Sequence, residues 1–254
     1  MNKHILTKSK YLIGLTCFRH LWTAFNEPDK IPEANVSDRF RMEQGTEVGK
    51  LATKLFPEGI KLPEDYKENL KASEEAIKKK KPLFEAGFEI NNCFSRADIL
   101  VPVNDKWDII EVKASSEIKE ENIHDVSFQK YCYEAKGLKI RKCFLMHLNK
   151  DYVKEGDIDL EKLFVKDDIT KEVDEVIEGI QGRIDNMFAA IKAKKCPLEN
   201  GCKKPDDCAL KDCYDFLPRH HIFQLYRGGQ KIVQLLNEGI HSLKDIPEDF
   251  KLTE

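Results

Sequence analysis

From Ser37 to about Leu55 the apolar residues Phe40, Val48, Leu51, Ala52 and Leu55 recur on one helical face, and Ser37 offers the N-cap oxygen such a helix needs. Gly45 and Gly49 fall on neighbouring turns of that helix. A helix-interior glycine costs about 1 kcal/mol relative to alanine, so the pair predicts close approach of another backbone or of a ligand. Residues 64–81 are polar and lysine-rich, a helix or a loop. "FEAGFEIN" then begins a strand that leads into a hairpin. In "DVSFQKYCYEAKG" the spacing of Phe128, Tyr131, Cys132 and Ala135 predicts a helix stopped by Gly137, and "IRKCFLMHLN" reads as a buried strand. "LFVKDDIT" predicts a further short strand, after which Thr170 caps one long helix with Val173, Val176, Ile177, Ile180, Ile184, Met187, Phe188 and Ile191 on a single face. Helix, strand, strand, strand, helix, strand is an α/β order, and it predicts a central mixed sheet flanked by helices.

The two strands in the middle carry the candidate chemistry. "SRADILVPVNDKWDIIEVKAS" is apolar on both sides of Asn104-Asp105, a two-residue hairpin turn. That turn sets Val101 against Asp108, Ile99 against Ile110, and Asp98 against Glu111. Side chains alternate along a strand, so Glu111 and Lys113 share one face while Ile110 and Val112 take the other. Carboxylates on facing residues, whose Cβ atoms lie roughly 4.5–5.5 Å apart, repel unless a proton, a cationic side chain or a divalent metal intervenes. A solvated ion pair with Lys113 or Arg96 is the plain alternative.

The chain has 254 residues, 41% of them hydrophobic, enough to bury a sizeable core as one large domain, or as one domain with an appendage. No run of 18 apolar residues predicts a membrane span. The N-terminal stretch up to Trp22 is faintly like a lipoprotein signal, but its apolar run is short and Arg19 and His20 follow the cysteine at once. A cytoplasmic location is expected.

Eight cysteines in a reducing compartment call for a reason other than disulfides. Cys93, Cys132 and Cys143 stand alone in apolar surroundings and read as small buried hydrophobes. Cys196, Cys202, Cys208 and Cys213 crowd into "CPLENGCKKPDDCALKDC", a segment too poor in large apolar residues to pack itself, which a metal centre would hold together. Its spacing lacks the C-x2-C knuckle of structural zinc sites, and an iron-sulfur cluster, zinc and incidental thiols all stay open. Cys17, far off in sequence, is a candidate further ligand.

"RADILV", then "DIIEVKAS", then a helix with Gln129 and Tyr133 in "QKYCY", resembles the PD-(D/E)XK nuclease superfamily, in particular its RecB-like branch. Cys17 ahead of this core and Cys202, Cys208 and Cys213 after it resemble the iron-sulfur-bearing members, which include the AddB-type nuclease domain and nucleases associated with CRISPR adaptation. The likeness spans roughly Ser9 to Leu217. It implies a restriction-endonuclease-like core in a nuclease domain over 1–217, with 218–254 as a helical appendage. It further implies that Asp98 and Glu111 hold Mg2+ or Mn2+, with the Val112 carbonyl as a further oxygen ligand. Lys113 would orient or deprotonate the attacking water, and Gln129 and Tyr133 would face the site from one helix. A 4Fe-4S cluster would be held by Cys17, Cys202, Cys208 and Cys213, with Cys196 outside the set. One departure stands out. Where many RecB-like members place a metal-binding His or Glu after the glycine of the first helix, this chain has Gly49, with Glu43 and Glu47 as nearby carboxylates.

A net charge of −3 means that DNA would have to be met by local patches. Lys78 to Lys81, the group Lys136, Lys139, Arg141 and Lys142, and the group Lys192, Lys194, Lys195, Lys203 and Lys204 are the candidates, and each is equally a solvated face. The C-terminal "HIFQLYRGGQKIVQLLNEGIHSLKDIPEDFKL" predicts two helical fragments, either a packing appendage or a weak likeness of a helix-hairpin-helix. The expectations are therefore two: a metal-dependent DNA nuclease acting on single strands or duplex ends, with protein partners in a DNA-processing complex, or a catalytically weak nucleic-acid-binding or assembly subunit of the same fold.

Overall fold

In the computed structural model the described residues are 4–197, Leu210 and 218–251. Among them, seven strands form one mixed sheet: β1 (Leu6–Thr7), β2 (Ile60–Lys61), β3 (Leu83–Ile90), β4 (Cys93–Val103), β5 (Lys106–Lys113), β6 (Ile140–Leu148) and β7 (Phe164–Asp168). The order is β2-β3-β4-β5-β6-β7, with β1 added on β4. β3, β4 and β5 run antiparallel in sequence, β5 and β6 are parallel, and β7 returns antiparallel. The hairpin register matches the turn-based expectation from Ile99-Ile110 through Val101-Asp108 to Val103-Lys106, but the ladder ends at Ile99, so the expected Asp98-Glu111 pair is not part of it. Asn104 takes φ 56°, the left-handed conformation that asparagine tolerates better than most residues.

Helix α1 (Lys8–Thr16) follows β1 directly, and α2 (Phe18–Asn26) comes next. One face of the sheet is covered by α3 (Val36–Thr53), whose Val48 and Ala52 bury against Phe84, Ile99, Ile110 and Met146. Asn35 caps α3 through its side-chain oxygen, which accepts the Asp38 N–H at 2.9 Å, two residues earlier than the Ser37 cap expected from sequence. Phe40, expected on the buried face, is 60% exposed. It lies eight residues before Val48, about 12 Å along the axis, and helical periodicity says nothing about how far the covered sheet extends.

Neither Gly45 nor Gly49 meets a close neighbour: a Cβ at either would find nothing within 4 Å among the described residues, against the expected tight approach. Gly49→Ala should therefore raise stability by about 0.5–1 kcal/mol through helix propensity and unfolded-state entropy. Urea denaturation checks this, and a loss of stability would reveal a neighbour that the free helix surface does not display.

The other face is covered by α5 (Glu120–Ala135), ended at Gly137 with φ 92°, while α4 (Tyr66–Ala76), capped by Asp65, packs against β3. The short α6 (Leu160–Leu163) precedes β7. The predicted long helix after Thr170 is two helices, α7 (Thr170–Ile177) and α8 (Ile180–Lys192). Gly179, at φ 74°, breaks them, and the Arg183 guanidinium caps the C-terminus of α7 on the carbonyls of Val176 and Glu178.

Contacts divide the chain into two units. The first comprises Met1–Leu12 and Ala34–Ile184 and contains the sheet. The second comprises Ile13–Glu33 and Asp185–Glu254. In the second, Trp22 and Asn26 of α2 donate to the carbonyls of Ala193 and Ile191. Among the described residues of its C-terminal part, a 3-10 turn at Ile222–Gln224 precedes the α-helix α9 (Gly229–Asn237), where two helical fragments were expected. Ile232, Leu235 and Leu236 of α9 pack with Ile222, and the residues after Gly239 form only a 3-10 turn at Leu243–Asp245. Cys93, Cys132 and Cys143 are fully buried, as their apolar neighbours imply.

Candidate functional site

The site forms where β4 and β5 part. β3 occupies one edge of β4 along most of its length. On the other edge β5 accompanies only Ile99–Val103 and β1 only Cys93–Phe94. Asp98 stands at the fork. Its Oδ2 accepts the Val112 N–H at 2.7 Å, so a carboxylate stands in for a strand carbonyl at that point. Because β1 ends there, the next residue, Lys8, is delivered beside Glu111.

Glu111, 1% exposed, is the hub. The Lys8 ammonium donates to both its oxygens at 3.0 and 3.1 Å, Lys113 donates to Oε1 at 2.6 Å, and Gln129 Nε2 donates to Oε2 at 2.7 Å. Asp125, one turn before Gln129 on α5, completes the group. Its Oδ2 accepts from Lys113 at 2.9 Å and its Oδ1 accepts from Gln129 at 3.2 Å. Lys8 also lies 3.8 Å from Asp125 and 4.0 Å from Asp98. Glu111 and Lys113 are on the α5 side of the sheet, and Ile110 and Val112 pack on the α3 side, as strand alternation requires.

These contacts split the acids. Burial disfavours the Glu111 charge, yet Lys8, Lys113 and the bonds from Lys113 and Gln129 outweigh it and hold its carboxyl well below the usual range. Burial, with the Glu111 charge added, pushes Asp98 up to about 7 against the opposing pull of Lys8 and the Val112 N–H. Burial and Glu111 likewise raise Asp125. Burial opposes both lysine charges, but the surrounding carboxylates raise Lys8 and Lys113 above the ordinary lysine value, so both stay ammonium.

Tyr133 is fully buried one turn beyond Gln129, and its hydroxyl belongs to the sheet. It accepts the Ala97 N–H and donates to the Ala86 carbonyl, both at 2.6 Å, bridging β3 and β4 next to Asp98. Tyr133→Phe should cost about 1–3 kcal/mol, since it leaves a buried N–H and carbonyl unsatisfied. Chemical denaturation beside wild type measures that loss, and a neutral result would mean the strands close up without the hydroxyl.

Three members of the site were not singled out from sequence. Asp125 carried a signal, because Asp125, Gln129 and Tyr133 form one four-residue stripe. Lys8 carried none, since its place depends on β1 pairing with a strand nearly ninety residues away. Glu85 was equally silent: it sits opposite Asp98 at φ 60° inside β3, where the β3-β4 ladder skips from Phe84-Ile99 to Ala86-Ala97. The buried Asn69 side chain holds this turned backbone by donating to the Glu85 carbonyl at 2.8 Å. Burial raises the Glu85 carboxyl while Lys8 and Arg96 pull it down, which places its charge in the same field.

Hard oxygen donors suit Mg2+ or Mn2+. Two observations support a fit: the carboxylates already hold a cation, the Lys8 ammonium, and Gln129 Oε1 is buried with no partner among the described residues, because Nε2 is turned to both carboxylates. Among the described residues no three His, Cys, Asp or Glu side chains stand together at metal-holding spacing, and the two ammoniums lie among the acids. Gly49 supplies no donor. Glu43 and Glu47 are exposed on α3, and Glu47 is paired with Lys50 at 2.8 Å.

Of the four cysteines expected to hold a cluster, Cys202, Cys208 and Cys213 lie outside the described residues. Cys17 is the N-cap of α2, its Sγ accepting the His20 N–H at 3.3 Å. Cys196 belongs to the same unit and is hydrogen-bonded to Thr23 of α2, with burial raising its thiol. In the first two basic groups Lys78 pairs with Glu75, Lys139 with Asp105, Arg141 with Asp108 and Lys142 with Asp168, while Lys203 and Lys204 of the third lie outside the described residues. Among the described residues no helix is long and apolar enough to cross a membrane.

No protein-family model and no curated protein matches this chain. Among solved structures it is similar to the crystal structure of SSO0001, at 10% identity over 86% of this chain and 88% of that one, with a TM-score of 0.32, a level that implies nothing about shared architecture or activity.

Proposed function

We propose that the chain is a divalent-metal-dependent DNA nuclease with a restriction-endonuclease-like core, hydrolysing phosphodiesters of single strands or duplex ends in the cytoplasm during repair, recombination or CRISPR-type processing. The observation that carries this reading is the convergence of Asp98, Glu111, Lys113 and Gln129 where β4 and β5 separate. Asp98 and Glu111 would hold Mg2+ or Mn2+, with the Val112 carbonyl as a further oxygen. When bound, such an ion polarises a phosphodiester and lowers the pKa of a coordinated water. Lys113, oriented by Asp125, is placed to steady charge on a phosphate or to order the attacking water. Gln129 fixes the Glu111 carboxylate, and Tyr133 fixes the strand pair behind Asp98.

Cys17, Cys202, Cys208 and Cys213 are proposed to bind a 4Fe-4S cluster, joining segments from the two ends of the chain, with Cys196 outside the set. The grouping of Ile13–Glu33 with Asp185–Glu254 in one unit supports that clasp. A second reading, a nucleic-acid-binding or assembly subunit with weak catalysis, is favoured by Gly49, which offers no ligand from α3.

The test is a cleavage assay on anaerobically purified protein with Mg2+ or Mn2+, wild type beside Glu111→Gln, together with iron analysis. The nuclease reading expects DNA degradation that needs the divalent ion and is abolished by Glu111→Gln. DNA binding without cleavage under any condition would favour the assembly subunit. Brown protein whose iron is lost in Cys17→Ser and kept in Cys196→Ser supports the cluster, and stoichiometric zinc without iron would overturn it.

A further inference from the structure

We propose that the Lys8 ammonium is an internal cation holding the place of the divalent ion, and that it must swing out before that ion binds; this rests on the metal-dependent reading above. Lys8 stands within 4.0 Å of all three acids, contacting both oxygens of Glu111 and approaching Asp98 and Asp125. Hard divalent ions bind carboxylate oxygens at about 2.0–2.6 Å. An ion shared by Glu111 and Asp98 would therefore fall within the space the ammonium fills, and two cations at that separation repel strongly.

The two lysines of the site are not equivalent. Lys113 is held at both ends of a short bridge, by Glu111 at 2.6 Å and by Asp125 at 2.9 Å, and it remains when the ion arrives. Lys8 is the first residue of α1, is close to Glu111 alone, and approaches Asp125 and Asp98 only at 3.8 and 4.0 Å, while the two lysines are equally exposed, at about a quarter of the side chain. Its backbone follows directly on the pairing of Leu6 and Thr7 with β4, so rotation of the side chain alone clears the site. In the ion-free protein the ammonium offsets the repulsion among Asp98, Glu111 and Asp125 and keeps the carboxylates assembled. The divalent ion then takes over that role, and the occupant changes while the carboxylates stay in place.

The experiment pairs a wild-type measurement with a variant. Wild-type protein is acetylated with an N-hydroxysuccinimide ester in chelator and in Mn2+, and labelling of the Lys8 peptide is followed by mass spectrometry. Mn2+ binding to wild type and to Lys8→Met is measured by electron paramagnetic resonance. Lys8 should be protected in chelator and label several-fold faster with Mn2+. Lys8→Met should bind Mn2+ about tenfold more tightly, melt below wild type in chelator, and lose that deficit in saturating Mn2+. If Mn2+ binds but Lys8 labelling does not rise, or folded Lys8→Met binds it no better, displacement is wrong and the metal site stands. If neither protein binds Mn2+, the proposal falls together with the metal-dependent reading. The labelling arm needs no substitution, so it decides even where Lys8→Met fails to fold.

Discussion

Glu111→Ala should destabilise the metal-free fold by about 3–5 kcal/mol, the range for removing one partner from a buried ion cluster. Glu111 is the carboxylate that Lys8 and Lys113 share, and Gln129 donates to it as well. Without it Lys113 keeps Asp125, but Lys8 retains only Asp125 at 3.8 Å and Asp98 at 4.0 Å. A largely buried ammonium is left with only these two longer approaches, which costs more than the lost attraction alone. A double-mutant cycle isolates that effect: adding Lys8→Met to Glu111→Ala should recover stability, with a coupling of about 1–3 kcal/mol. Urea denaturation in chelator gives all four values. A Glu111→Ala cost below about 1 kcal/mol, the range of exposed pairs, with no coupling to Lys8 would mean that the cluster does not form in solution.

The parts of this site that could be read from the chain are those whose geometry is local. The Asn104-Asp105 turn sets a register over a few residues, so the pairing of Ile99 with Ile110 and the split of Glu111 from Val112 across the sheet followed from counting. Gln129 and Tyr133 were similarly one helical turn apart. Lys8 and Glu85 were not legible, because one depends on a two-residue parallel pairing across the chain and the other on a single left-handed residue inside a strand. Phe40 and Gly179 mark another limit. Apolar periodicity defines a face, but neither the point where the covering sheet ends nor a glycine's choice of φ is encoded in that period.

Asp98 and Glu111 should give the metal-free protein two oppositely directed pH dependences in separate windows. The folded Asp98 carboxyl is pushed up to about 7 by burial and by the Glu111 charge, whereas unfolded it titrates near about 4. Below that lower value it is protonated in both states and costs nothing. As pH rises from about 4 to 7 the unfolded chain releases its proton first, so stability falls, and above about 7 the loss is complete, on the order of a few kcal/mol. Asp125 is raised by the same causes and adds to the fall. Glu111 has the opposite sign: its carboxyl is held well below the usual range, so its contribution is present above about pH 4 and is lost only as pH drops further. Asp98→Asn removes one charge from the crowded fork and keeps an oxygen for the Val112 N–H. In chelator it should be more stable than wild type at pH 8 and close to wild type at pH 4.5, with a shallower slope between. Equal slopes for the two proteins from pH 4.5 to 8 would show that Asp98 is already ionised at acidic pH, and that the Lys8 ammonium outweighs burial and the Glu111 charge at the fork.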